Sequence, residues 1–232
     1  MFNIGSLESS INTGEAKHML LTDEPTVFVV EDDETNRQLM KDLFESVDLK
    51  VELFPSGDAF LAAMPVRGPG CILLDVRMPG ISGLDLQSQL AKHKLDLPII
   101  IVTAHGDTQM AVRAMKEGAF DFVEKPINNQ VLLDTVNKAL TESRRIGAEI
   151  REQESIQQRL DLLTPRETDV LRMIAQGKLN KQIAFELGIT QRTVEVHRAR
   201  VMEKIQAKTV ADLLRTVMSL ESFSCEDEPR RS

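Results

Sequence analysis

Three stretches of this sequence are apolar at four consecutive positions: Val27-Phe28-Val29-Val30, Cys71-Ile72-Leu73-Leu74 and Ile99-Ile100-Ile101-Val102. A strand with one wet face alternates polar and apolar residues, whereas a strand covered on both faces has no reason to. These runs therefore belong in the middle of a parallel sheet. Two further runs, Val51–Phe54 and Phe120–Val123, complete a set of five. Between them lie Thr35–Phe44, Asp58–Met64, Leu84–Lys92 and Thr108–Lys116, with apolar residues three or four apart, the helical period. Parallel neighbours need crossover helices, and those crossovers are right-handed. Five strands alternating with helices predict a doubly wound α/β domain.

The rest of the chain has a different rhythm. Residues 1–24 lack any period and are expected to be a disordered leader, with Met19 as an alternative start. From Asn128 a helical pattern runs into the charged, Gln-rich stretch Glu142–Gln158, either one long linking helix or a solvated segment of coil. Thr164-Pro165-Arg166-Glu167 then opens a second compact region: Thr at the N-cap, Pro at the first position and Glu at the third form a strong helix start. Helices are expected at 165–176, Asn180–Leu187, about 191–205 and Thr209–Leu220, with Gly177 and Gly188 as stops. The expected division is a leader at 1–24, an α/β domain at 25–142, a helical linker at 143–160, a smaller all-α domain at 161–221 and a disordered tail at 222–232.

Charge separates the two regions. The chain carries 28 basic and 36 acidic side chains, net −8, which argues against a protein that coats nucleic acid along its length. Residues 1–140 hold 12 basic and 21 acidic groups; residues 164–220 hold 10 and 6. Only the basic rear suits a polyanion. Two cysteines, Cys71 and Cys225, exclude a disulfide framework and a four-thiolate zinc site; both are expected to be free thiols in a reducing, cytoplasmic setting. No apolar run approaches the roughly 18 residues that span a bilayer, so no membrane partner is expected.

Functional groups in a parallel sheet collect at the carboxyl ends of its strands. Here those ends carry Glu31-Asp32-Asp33, Asp75, Thr103 and Lys125-Pro126. One acid after one strand is commonly a helix cap, and one Lys-Pro is commonly a turn. Five such features on four strands make a site. Acids gathered there repel unless a lysine and a divalent cation compensate them, and Mg²⁺ suits few carboxylates and several waters. An aspartate in that setting can accept a phosphoryl group, with Lys125 and the Thr103 hydroxyl on the transferring oxygens. A dinucleotide-binding fold is excluded, because the first strand ends in acids where Gly-x-Gly-x-x-Gly is required.

Val29-Val30-Glu31-Asp32-Asp33, Leu74-Asp75-Val76-Arg77-Met78-Pro79-Gly80, Val102-Thr103-Ala104-His105 and Glu124-Lys125-Pro126 resemble the receiver domain of bacterial two-component response regulators. The resemblance implies a 2-1-3-4-5 sheet and phosphoryl transfer from a histidine kinase onto Asp75. It gives Asp32, Glu31 and Asp75 the role of Mg²⁺ pocket, with Arg77 adding a backbone carbonyl and Asp33 beside the helix cap. It also gives Thr103 and Phe122 a coupled switch role; from the residues alone, Phe122 is most simply a core side chain. A cis Lys125–Pro126 bond is expected by the same analogy.

Asn180–Leu187, the Gly188 turn and the helix after Thr190 fit a helix-turn-helix whose second helix enters the major groove of double-stranded DNA. On charge alone that second helix, with Arg192, His197, Arg198, Arg200 and Lys204, is no more than a solvated amphipathic helix. Leu163-Thr164-Pro165-Arg166-Glu167, Asn180-Lys181-Gln182-Ile183-Ala184 and Thr193-Val194-Glu195-Val196-His197, however, resemble the LuxR-type helix-turn-helix of NarL/FixJ regulators. That resemblance implies groove-facing Glu195, Val196 and Ala199, with Thr193 and His197 nearby. It implies phosphate contacts from Lys178, Lys181, Arg198, Arg200 and Lys204, with Arg192 also in the DNA-binding set. The whole is expected to be a phosphorylation-dependent transcription regulator and not an enzyme, dimeric when phosphorylated, with RNA polymerase a further partner. The rivals are a phosphohydrolase, which short strand-end loops disfavour, and a constitutive DNA binder, which the complete acidic set disfavours.

Overall fold

The computed structural model describes residues 24–66, 68–93, 95–104 and 108–219. Residues 1–23 of the expected leader, the expected tail with Cys225, and His105 lie outside these residues. The chain divides into two compact units at Gly147/Ala148.

In the first unit β1 (Thr26–Val30), β2 (Lys50–Phe54), β3 (Gly70–Asp75), β4 (Ile99–Ala104) and β5 (Asp121–Lys125) form one parallel sheet, ordered β2-β1-β3-β4-β5. All residues of β1 and β3 are buried, whereas the edge strands β2 and β5 are largely half-exposed. The consecutive apolar runs thus occupy the centre. Alternation then assigns the faces. Phe28, Val30, Ile72, Leu74 and Ile101 pack with α2 (Gly57–Ala62), α3 (Gly83–Lys92) and α4 (Thr108–Lys116). Val27, Val29, Cys71, Leu73 and Ile100 pack with α1 (Glu34–Glu45) and the first turns of α5 (Asn129–Asp161). Burial pushes the Cys71 thiol up to about 12, so it is an inert core group.

The apolar pattern misplaces the fifth strand. The run Phe120–Val123 suggests a strand there, but β5 spans Asp121–Lys125. On this edge strand only Val123 is buried, and Phe122 is 44% exposed instead of lying in the core. Edge strands hide one face, so the polar Glu124 and Lys125 belong to the ladder without leaving an apolar signal.

Helix α5 is continuous from Asn129 to Asp161, so the charged stretch is helix and not coil. Ser143 in its middle is buried and accepts a hydrogen bond from the Gly70 N–H at 3.0 Å, pinning the helix to the start of β3. Between Arg144 and Ser155 no residue is buried; only Ile146, Gly147 and Ile150 are half-covered.

The second unit contains α6 (Pro165–Ala175), α7 (Asn180–Leu187), α8 (Gln191–Ile205) and α9 (Val210–Met218) around Val170, Leu171, Ile174, Ile183, Val194, Val201, Ile205, Leu213 and Val217. Thr164 and Glu167 form the reciprocal capping box that the sequence predicts, with Pro165 at the start. Gly188 ends α7 at φ +63, the left-handed conformation that sharp turns demand and glycine adopts freely.

Candidate functional site

The carboxyl ends of β1, β3, β4 and β5 bring Glu31, Asp75, Thr103 and Lys125 to one edge. Glu31, Asp75 and Thr103 are buried and Asp32 is exposed. The Lys125 ammonium donates to Asp75 Oδ2 at 2.7 Å and to Glu31 Oε2 at 2.9 Å. Asp75 Oδ1 accepts the Arg77 N–H at 3.1 Å, so both oxygens of this carboxylate are held. Burial raises the Glu31 carboxyl above the usual carboxylate range, Asp75 adds to the rise, and the Lys125 hydrogen bond only partly opposes it. Burial by itself would lower the Lys125 ammonium; its bonds to Asp75 and Glu31 outweigh that and raise it. The lysine is thus held charged between two acids.

Glu31, Asp32 and Asp75 each present a carboxylate oxygen within 4.8 Å of the others. Three oxygens this close, compensated by one lysine, match the donor chemistry of a hard divalent cation. Their environment also separates Asp33 from them: its Oδ1 caps α1 by accepting the Asn36 N–H at 2.8 Å. The Lys125–Pro126 bond is cis.

Two supporting residues were not singled out in the sequence. Arg37, on the second turn of α1, donates one guanidinium nitrogen to the carbonyls of Glu31 (2.7 Å) and Asp32 (3.0 Å). It clamps the backbone of the acidic loop without spending the acids themselves, and Asn36 reaches the Glu31 carboxylate at 3.4 Å. The second is Gly83, at the start of α3. A Cβ there would sit 2.2 Å from the Asp75 carbonyl oxygen and 2.9 Å from Val76 Cα. No sequence pattern distinguishes this close approach from an ordinary turn glycine. Gly83→Ala must displace the Asp75 loop backbone; it is expected to cost about 2 kcal/mol, read as a fall in melting temperature.

In the second unit Lys181, Arg192, Glu195, Val196, Ala199 and Arg200 are exposed, and Thr193, His197 and Arg198 are half-buried. Thr190 caps α8 by accepting the Thr193 N–H at 3.1 Å, and His197 Nδ1 has no hydrogen-bond partner among the described residues. Lys178 is paired with Glu186. Lys204 is engaged inside the unit: its ammonium donates to Glu167 Oε2 at 2.7 Å and to the Leu162 carbonyl at 3.0 Å. The capping box and Lys204 thus share one carboxylate.

That carboxylate has an acid signature. The Lys204 bond first, and the Thr164 N–H second, hold Glu167 down at about 2. A depressed folded value means stability that is complete above the unfolded value near 4.5 and is lost as pH falls towards 2. Glu167→Gln is expected to destabilise α6 by about 3 kcal/mol near neutrality, a difference that shrinks as pH falls from 5 to 2. Amide exchange along α6 measures it, and a difference independent of pH would refute the linkage.

Comparison with known proteins places both units. Residues 27–137 match the response regulator receiver domain, and residues 161–217 match the bacterial regulatory proteins of the luxR family. The chain is 42% identical over 202 residues to nodulation protein W of Bradyrhizobium diazoefficiens, covering 87% of this chain and 89% of that one. It is 39% identical over 194 residues to the transcriptional regulatory protein FixJ of Rhizobium meliloti, covering 84% and 95%. Among solved structures, the response regulator StyR aligns with a TM-score of 0.77 at 41% identity, over 85% of this chain and 100% of that one. Full-length FixJ from B. japonicum aligns at 0.54 with 37% identity, over 85% and 98%. An acid-and-lysine edge on a 2-1-3-4-5 sheet, followed by a helix-turn-helix unit and matched over nearly the whole of such relatives, leaves one assignment: the chain belongs to the NarL/FixJ family of two-component response regulators, transcription regulators that join a receiver domain to a LuxR-type DNA-binding domain.

Proposed function

We propose that Asp75 is the phosphoacceptor of this regulator and that its phosphorylation by a histidine kinase controls DNA binding by the second unit. The observation that carries this is the single lysine bonded at once to Asp75 and Glu31 beside a third carboxylate. Attack by an Asp75 carboxylate oxygen forms the O–P bond while the P–N bond to the donor imidazole breaks. The incoming phosphoryl oxygens compete for the Lys125 ammonium, which leaves Asp75 to neutralise them, and the Thr103 hydroxyl supplies a further donor. Glu31, Asp32, Asp75 and the Arg77 carbonyl would hold Mg²⁺, which when bound supplies charge neutralisation on the transferring group. Arg37 keeps the acidic loop in position.

The receiver assists its own phosphorylation and dephosphorylation and turns over no separate substrate. Thr103 and Phe122 form the switch: the ring on β5 stands half-exposed, free to turn inward once the hydroxyl is drawn to the phosphoryl group. In the second unit α8 enters the major groove. Lys181, Arg192, Arg198 and Arg200 reach phosphates, whereas Lys204 is committed to Glu167 and serves the fold. The phosphorylated chain acts as a homodimer, with RNA polymerase as its downstream partner, in the cytoplasm; among the described residues no helix is long and apolar enough to cross a membrane.

The test is direct. Incubated with Mg²⁺ and a small-molecule phosphodonor, the chain gains one acid-stable, base-labile phosphoryl group, and a chelator prevents it. Asp75→Asn abolishes the label with the circular dichroism spectrum unchanged; label retained in that variant would move the nucleophile elsewhere.

A further inference from the structure

Helix α8 ends at Ile205, and the last carbonyls of any helix lack partners within it. The loop supplies two: the Gln206 N–H donates to the Glu203 carbonyl at 3.1 Å, and the Ala207 N–H to that of Met202 at 3.0 Å. Gln206 takes the left-handed conformation, φ +63, which a residue other than glycine keeps only where its surroundings hold it. The Ile205 carbonyl is met from another element. Arg159, half-buried on the last turns of α5, donates its Nη1 to that oxygen at 3.0 Å. The same guanidinium gives Nε to the Ser155 carbonyl at 3.2 Å and Nη2 to the Ser155 hydroxyl at 3.3 Å, one turn back on α5. A planar fork fixed at two nitrogens points the third in one direction. Its positive charge also suits the negative end of the α8 dipole. A return tie lies beside it, because Lys204 donates to the carbonyl of Leu162, just past the end of α5. Leu160 and Leu163 pack against the core of the second unit. Arg159 and its partners lie within that unit, yet the luxR-family match begins only at residue 161.

We propose that Arg159 is a positioning residue for DNA recognition: the last turns of α5 grip the C-terminal end of α8 and fix the angle at which it meets DNA. This rests on α8 lying in the major groove, and it extends the DNA-reading unit back into α5. The lever is long. At 1.5 Å per residue, Val196 sits about 14 Å along the helix from Ile205. A tilt of about 5° at the gripped end therefore moves that region by roughly 1 Å, more than a preorganised hydrogen-bonding site tolerates. Contacts to phosphates come from long, adaptable side chains and survive such a shift. Contacts to base edges carry the sequence information and do not. Loss of the grip thus weakens binding to the preferred sequence and leaves general affinity for DNA in place.

The test compares the phosphorylated full chain as wild type, Arg159→Ala and Arg159→Lys, well below the melting temperature of each. Two probes are used: a duplex enriched by wild type from a random pool, and an unrelated duplex of equal length. Arg159→Ala is expected to lose about 10-fold in affinity for the enriched duplex, the size of one lost base contact. Its affinity for the unrelated duplex, and the slope of affinity against salt, stay at the wild-type values. Arg159→Lys keeps a cation and a donor at the end of α8 and recovers most of the loss. A salt slope reduced by about one unit would make Arg159 a phosphate ligand and overturn the proposal. So would a loss shared equally by both duplexes, or none at all. A wild type that enriches no sequence overturns the groove placement of α8 itself, a failure distinct from that of Arg159.

Discussion

Lys125→Met is expected to reduce phosphoryl uptake on the order of 100-fold, the cost of losing one preorganised charge at a transferring group. The lysine bridges Glu31 and Asp75, whose side chains are 2% and 8% exposed, and it is itself only 24% exposed. Without it, two nearly buried carboxylates face each other and a third lies within 4.8 Å. The variant should therefore also lose about 2 kcal/mol of stability, since breaking a buried pair strands its partners. A divalent cation offers those carboxylates an alternative partner, so added Mg²⁺ should raise the variant's melting temperature more than wild type's. Uptake is measured well below both melting temperatures, which separates chemistry from folding. Undiminished uptake would remove Lys125 from the transfer and leave it a structural pair.

The parallel sheet, its central strands and most of the site were legible because they depend on features that recur along the chain. The strand order 2-1-3-4-5, by contrast, was implied only by the receiver resemblance. Runs such as Cys71–Leu74 announce a strand buried on both faces whatever surrounds it, and the residues just past those runs fall at the carboxyl edge by construction. Thr164-Pro165-Arg166-Glu167 announced its helix through local hydrogen bonds that need no partner elsewhere. What stayed hidden depends on approach between distant segments. Arg37 matters because a turn of helix carries its guanidinium back over two carbonyls, and Gly83 matters because α3 begins against the Asp75 backbone. Lys204 has the composition of a phosphate ligand, and only the packing of α8 near Glu167 commits it to the fold. Phe122 has the composition of a core residue, and only the position of β5 at the sheet edge turns it outward.

The second large effect is expected at the surface formed by three consecutive elements. Val112 and Met115 on α4, Phe122 on β5 and Val131 on α5 are 49%, 43%, 44% and 52% exposed. Large apolar side chains on neighbouring elements are a cost in water unless a partner covers them. These elements follow β4, whose Thr103 would answer to the phosphoryl group, so a shift there biases this face before any other. A dimer built on it brings two DNA-binding units together, and two linked half-site contacts bind far more tightly than one. Placing Glu at Val112 or at Val131 should keep the phosphorylated chain monomeric by sedimentation. It should weaken binding to a two-half-site duplex about 100-fold while sparing a single half-site. Because both positions are exposed, phosphoryl uptake and melting temperature should match wild type. An unphosphorylated chain already dimeric, or variants that dimerise normally, would show that these side chains cover nothing on phosphorylation, and control would then have to act by positioning the DNA-binding unit within one chain.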